Sequence, residues 1–137
     1  MKKRIGLFGK HSRIKVASII KARSASLSKL YDVTAFDLDT RLPRRLSLDL
    51  AVIFGGDGTI LQAARFLAPL GVAAVGVNLG KFGFLAGCVD TECADIIKAA
   101  LDGDIKPVVR SMLTCRIKRA GRPGGLVTAL NDIVVTA

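Results

Sequence analysis

The stretch AVIFGGDGTILQAARF, Ala51 to Phe66, constrains the fold more than any other. Leu50 to Phe54 is wholly apolar, as expected of a strand buried on both faces. Gly55-Gly56-Asp57-Gly58-Thr59 follows, and apolar residues then recur at helical spacing from Thr59 to Leu67, stopped by Pro69 and Gly71. Strand, glycine turn and helix in immediate succession point to a parallel α/β unit. A turn that only reverses the chain does not call for three glycines around one acid. A place where backbone must come close to a phosphate or a sugar does.

The flanking segments extend the same pattern. Lys3 to Phe8 reads as a short buried strand stopped at Gly9, and Arg13 to Leu30 as an amphipathic helix through Val16, Ile19, Ile20, Leu27 and Leu30. Asp32 to Leu38 is expected to be a second strand, followed by a basic loop with Pro43, and Val72 to Val77 a fourth strand. Asn78 to Leu85 is a glycine-interrupted loop rich in large apolar residues. Asp90 is expected to cap a helix reaching Leu101 and closed by Gly103. Residues 1–105 therefore predict a three-layer α/β domain with a largely parallel sheet. Past Pro107 the character changes. Val108 to Lys118 and Leu126 to Thr136 read as strands joined by the turn-rich Ala120 to Gly125. Two strands are not a stable β domain, so residues 106–137 are expected to be the first strands of an incomplete all-β domain.

Half of the 137 residues are apolar and 23% are charged, which allows a core and excludes a disordered chain. The longest uncharged apolar stretch, Leu67 to Leu79, contains a proline and glycines and is too short to cross a bilayer. Met1-Lys2-Lys3-Arg4 is followed only by Ile5 to Gly9 before Lys10, too little for an export signal, so a cytoplasmic location without membrane contact is expected. Cys88, Cys93 and Cys115 form no CxxC pair and the one histidine, His11, is remote, which predicts reduced structural thiols and no zinc site. The net charge of +10 suggests an anionic partner. The basic residues are scattered, however, and one tyrosine with no tryptophan is poor equipment for stacking on bases, so no specific nucleic-acid role is expected.

In an open parallel sheet, ligands gather at the carboxyl ends of the strands, where both glycine loops fall. Asp57 cannot itself welcome phosphate. It can hold Mg²⁺ against phosphate oxygens, accept a hydrogen bond from a hydroxyl about to attack phosphorus, or merely cap the helix. Neither GxxxxGK[ST] nor GxGxxG is present: Gly76 to Lys81 has one residue too few between its glycines, and Phe82 stands where Ser or Thr is needed. Phe82 and Phe84 are candidates either for the core or for a ligand wall. Asn131-Asp132 is either a turn pair or a polar contact, and within an apolar, strand-like run it makes a poor turn.

The Gly-Gly-Asp-Gly loop resembles that of a superfamily including phosphofructokinases, diacylglycerol and sphingosine kinases, and NAD kinases. Gly76 to Leu85 closely resembles the second glycine motif of NAD kinases. Ala129 to Val135 is similar to their Asn-Glu motif, and Arg110 with Leu113 to the Arg-x-x-Leu element between. The resemblance implies phosphorylation of the 2′-hydroxyl of the adenosine ribose of NAD to give NADP, with ATP or polyphosphate as donor and a divalent ion such as Mg²⁺. By the same resemblance Asp57 is the catalytic acceptor and Gly58 packs beside the ribose. Asn131 and Asp132 hydrogen-bond the dinucleotide, and Phe84 lies against the adenine with Leu61 and Phe82. No side chain is assigned as a metal ligand, and a homo-oligomer is implied for the complete protein. Two departures stand out: Asp132 occupies the place of the family's usual Glu, and the family's Thr-Pro-Thr-Gly-Ser-Thr-Ala-Tyr segment is absent. The chain alone is therefore expected to be weakly active or inactive. The alternative is a non-catalytic remnant that binds nucleotide or associates with an intact homologue.

Overall fold

The structure is a computed structural model that describes residues 1–80, 83–119 and 121–136. In chain order its elements are β1 (Arg4–Gly9), α1 (Ile14–Leu27), β2 (Asp32–Asp37), β3 (Leu50–Phe54), α2 (Asp57–Leu67), β4 (Ala74–Asn78), β5 (Cys88–Val89), α3 (Cys93–Asp102), β6 (Leu113–Arg119) and β7 (Arg122–Ala129). The first five strands form one sheet in the order β2-β1-β3-β4-β5, every neighbouring pair parallel. This is the doubly wound arrangement, with the strand order reversing between β1 and β3. The expected largely parallel three-layer fold is what the chain adopts.

Strand alternation sorts the core into two faces. Ile5 and Leu7 of β1 and Leu50, Val52 and Phe54 of β3 pack with Val16, Ile20 and Leu27 of α1 and with Cys93 and Ile97 of α3. Phe8, Ala51 and Ile53 point the other way, toward Ile60, Ala63 and Leu67 of α2 and Leu38 of the following loop. Phe8 stacks on Phe36 with ring centroids 4.8 Å apart. Fully burying an apolar side chain contributes about 1.5–3 kcal/mol, and Ile5, Leu7, Phe8, Val52 and Phe54, all fully buried, lie on the inner strands β1 and β3.

The largest departures from the sequence reading lie in β5 and the last two strands. β5 is only two residues long, too short to show an alternation, and was not anticipated. Asp90 does not cap α3. Residues Asp90–Glu92 form a 3₁₀ turn, Glu92 precedes the α-helix, and the Asp90 carboxylate faces Arg23 of α1 instead. Both guanidinium nitrogens that reach it lie 2.8 Å from its oxygens, and Arg23 Nη2 also donates to the Asp90 carbonyl at 2.9 Å. An ion pair with a guanidinium outweighed a local cap. Gly103 does close α3, in the left-handed conformation at φ 85°.

The Arg23 guanidinium, against a smaller opposing effect of burial, holds the Asp90 carboxyl below the usual carboxylate range. A depressed folded-state pKa contributes stability above the unfolded value, near 4, and loses it as pH falls through the folded value. Asp90→Asn is therefore expected to destabilise by about 1 kcal/mol at neutral pH, with the difference closing toward about pH 3. Denaturant titrations of both proteins across that range check this.

The three cysteines are unpaired, Cys88 and Cys93 buried and Cys115 half-buried. Burial is the main cause that pushes the Cys93 thiol up to about 12 and raises Cys88 as well. Alkylation at neutral pH, followed by mass spectrometry, is expected to modify Cys115 first and the other two only on unfolding.

β6 and β7 form a separate antiparallel sheet. The expected spans, Val108 to Lys118 and Leu126 to Thr136, are both displaced. Arg119 pairs with Arg122, and the turn at Gly121, just before Arg122, has φ 74°. That tight turn draws Arg122 to Gly125 into the ladder. A side chain on Gly124 would run into the Ile117 carbonyl, so glycine there permits the register shift between Arg116 and Lys118. The chain leaves the ladder after Ala129, so Asn131 and Asp132 follow the strand rather than sit inside it. Among the described residues no helix is long and apolar enough to cross a membrane.

Candidate active site

Asp57 is the first residue of α2, not a loop residue two positions ahead of the helix, and Gly56 is its N-cap. No hydrogen bond among the described residues joins its carboxylate to its own helix. The carboxylate is turned instead onto the second glycine loop: Phe84 N–H donates to Oδ2 at 2.9 Å and Leu85 N–H donates to Oδ1 at 3.1 Å. The simple capping role is thereby replaced by a clamp between two loops that follow neighbouring strands.

The glycines serve different needs. A Cβ on Gly55 would lie 2.5 Å from Thr59 Oγ1, so this glycine lets the buried Thr59 fold back under the turn. A Cβ on Gly83 would collide with the Asp57 carboxylate itself, so only glycine lets that loop close over the acid. Gly56 and Gly58, by contrast, have nothing within 4 Å of an added Cβ, and both are exposed. The turn is packed beneath and open above, next to the N-terminal end of α2, where backbone N–H groups and the helix dipole favour an anion.

Leu61 stands one helical turn after Asp57 and is half-buried on the same face. Phe84 is 97% exposed, which removes it from the core, and its backbone N–H is one of the two that bind the Asp57 carboxylate. Phe82 lies outside the described residues. Asn78 ends β4 buried, its Oδ1 accepting from Gly80 N–H at 2.9 Å and shaping the start of the second loop. Asn131 and Asp132 are exposed, and no hydrogen bond among the described residues joins either to Asp57. They follow a strand, β7, that lies against α2. Arg110 is exposed in the irregular segment ahead of β6, and Leu113 opens that strand.

The sequence reading missed one neighbour of this edge. Asp37, at the end of β2, accepts from His11 N–H at 3.0 Å and from Asp39 N–H at 3.1 Å, fastening the loop after β1. These two backbone bonds hold the Asp37 carboxyl below its usual range. An acid ending a strand, opposite the glycine that ends its parallel neighbour, is the signal that would have found it.

Residues 10–105 match the sequence model of the ATP-NAD kinase N-terminal domain. The chain is 43% identical over 93 residues to an NAD kinase of Heliobacterium modesticaldum, covering 68% of this chain and 33% of that protein. An NAD kinase of Paraburkholderia phymatum aligns with 97% of the chain at 30% identity, across 49% of its own length. Among solved structures, yeast NADH kinase complexed with NADH matches with a TM-score of 0.63 at 17% identity, covering 93% of this chain and 46% of that one. An Archaeoglobus fulgidus NAD kinase in complex with ATP matches with a TM-score of 0.56 at 22% identity, over 82% and 40% of the two chains. The two structures support the fold alone. The chain spans from a third to about half of the length of these relatives. The matched domain, together with the glycine turn and acid it contains, places this chain in the NAD kinase family.

Proposed function

We propose that this chain supplies the acid-bearing half of a site that phosphorylates the adenosine ribose 2′-hydroxyl of NAD, with Asp57 accepting the hydroxyl proton. The observation that carries the reading is the clamped carboxylate: each Asp57 oxygen accepts one backbone N–H from the second glycine loop. An ionised carboxylate offers roughly four lone-pair positions, so acceptor capacity remains for a hydroxyl on the open side. Clamping fixes where that hydroxyl would point. In a loose phosphoryl transfer, positioning of the attacking oxygen contributes more than the strength of the base.

Gly58, with open space over it, would admit the ribose, and the exposed Phe84 ring with Leu61 would offer an apolar wall to the adenine. Phe82, Asn131 and Asp132 would add contacts to the dinucleotide. Residues 1–105 would carry the acid and part of the NAD wall, and residues 106–137 would begin a second, β-rich unit. Among the described residues no three His, Cys, Asp or Glu side chains gather into a metal site. The protein residues described do not form a cage of their own, so Mg²⁺ would enter with the phosphates of ATP or polyphosphate. Unpaired thiols fit a reducing, cytoplasmic setting. Self-association is expected once the β layer is complete.

The test joins the chain to the half of the Paraburkholderia phymatum relative that it does not span. The fusion is expected to convert NAD to NADP with ATP or with polyphosphate, and the unfused chain to give little or none. A folded fusion that binds NAD but forms no NADP with either donor would support the non-catalytic alternative.

A further inference from the structure

The second glycine loop has a side that Asp57 does not use. Where β4 and β5 end, Asn78 to Gly80 and Val89 to Thr91 face Lys15 and Ile19 of α1 across an open groove of about 330 Å³. None of residues 55–59 or 83–85 lines it. α1 packs on the sheet face opposite α2, the helix that Asp57 opens, so the groove is separate from the open turn beside the acid. Its volume falls at the lower end of the range for small-molecule sites, roughly 300–1,000 Å³. Ile19, Leu79 and Val89, all half-buried, give it an apolar lining. Its charges are unevenly matched. Asp90 is neutralised by Arg23, whose guanidinium meets both carboxylate oxygens at 2.8 Å. Glu92, just beyond, is turned back onto Val89 N–H at 3.3 Å. Lys15 is exposed and has no ion pair or hydrogen bond among the described residues, which leaves one partnerless cation beside an apolar lining.

We propose that this groove is an effector site for a small amphipathic monoanion, a carboxylate carried on a short apolar body, and that its occupancy steadies the clamp on Asp57. Lys15 pairs with the carboxylate while Ile19, Leu79 and Val89 take the tail. A bare anion leaves the apolar lining unused, and a neutral apolar compound leaves Lys15 unused. The coupling runs along the loop. Asn78 Oδ1 accepts from Gly80 N–H at 2.9 Å, shaping the stretch that borders the groove. The same loop ends in the Phe84 and Leu85 N–H groups that hold Asp57. A ligand braced between α1 and Asn78 to Gly80 restrains the near end of that loop, and restraint at one end lowers the cost of order at the other. Binding rests on the groove alone; its bearing on turnover rests on the catalytic reading of Asp57.

Octanoate is the probe, titrated into the 137-residue chain with backbone amides followed by NMR. A Kd of about 1 mM is expected for a ligand of this size, with shifts concentrated at residues 78–80 and 89–91. Octanol, which lacks the charge, is expected to bind at least about threefold more weakly, and acetate, which lacks the tail, at least about tenfold more weakly. Lys15→Glu is expected to weaken octanoate by about tenfold or more, and an acid in the first turn of a helix is favourable, so the variant keeps its fold. Lys21→Glu makes the same charge change further along α1, outside the groove, and is expected to bind as wild type. With octanoate saturating, amide exchange at Phe84 and Leu85 is expected to slow by about threefold or more. None of these readouts needs turnover, so they stand or fall apart from the catalytic role of Asp57. Equal binding of octanol, indifference to Lys15→Glu, or shifts centred on the exposed residues of β6 and β7 would each overturn the site. Unchanged exchange at Phe84 and Leu85 would overturn the coupling.

Discussion

Replacing Asp57 by Asn in the fusion with the relative's second half is expected to lower the rate of NADP formation by about 10²–10⁴-fold. The substitution keeps size and shape but removes the acceptor for the hydroxyl proton. It has a second, structural consequence. Two backbone N–H groups point at this side chain, and an amide has only one oxygen to offer them. Its NH₂ would face either Phe84 N–H or Leu85 N–H, donor against donor, at a cost of about 1–3 kcal/mol where that group is shielded from water. The loss should appear chiefly in kcat, with a smaller change in KM for NAD. Thermal unfolding recorded alongside separates the two effects. Turnover that Asp57→Asn leaves untouched would remove Asp57 from the chemistry.

Gly83→Ala is expected to be nearly as damaging although it introduces only a methyl group. The new Cβ would land on the Asp57 carboxylate, so either the acid or the loop has to move. Both clamp bonds reach Asp57 from Phe84 and Leu85, the two residues after Gly83, so a shift of the loop breaks them together. A misplacement of about 1 Å at a reacting group costs on the order of 10²-fold in rate. The sheet is remote from this change, so the melting temperature should fall by only a few degrees, on the order of a 1 kcal/mol loss. Gly87→Ala is the matched control. It lies in the same loop region with nothing within 4 Å of an added Cβ, and is expected to retain wild-type turnover. Equal activity in the two variants would show that closure over Asp57 is unimportant.

Local chemistry made much of this fold legible. β3 has the boundaries read from its apolar run, because a strand buried on both faces announces itself by composition. The glycine turn was legible for the same reason, since few structures need three glycines around an acid. Contacts distant in sequence were not. The bond from Phe84 to Asp57 spans 27 residues and that from Arg23 to Asp90 spans 67, and each exists only because the parallel fold brings remote segments together, two loops in the first case and helix α1 against the turn after β5 in the second. Local rules therefore assigned Asp90 to a cap when its partner lay on another helix. The hairpin was misregistered for a related reason. Its alternation fits several turns, and the one adopted depends on Gly124 passing close over Ile117, which periodicity does not reveal. For Asn131 and Asp132 the apolar neighbours suggested a continuing strand, but the ladder ends when β6 supplies no further partner.

The central claim is a contact between one carboxylate and one hydroxyl, and a two-by-two binding measurement addresses it directly. The fusion and its Asp57→Ala variant are each titrated, without phosphoryl donor, with NAD and with the analogue lacking the adenosine 2′-hydroxyl. A hydrogen bond to a charged group contributes about 1.5–3 kcal/mol, so wild type should favour NAD by roughly tenfold or more. The variant should bind the two ligands almost equally, giving a coupling of about 1.5 kcal/mol or more between Asp57 and the hydroxyl. The same preference for NAD in both proteins would contradict the assignment, because the hydroxyl would then be recognised by some other group.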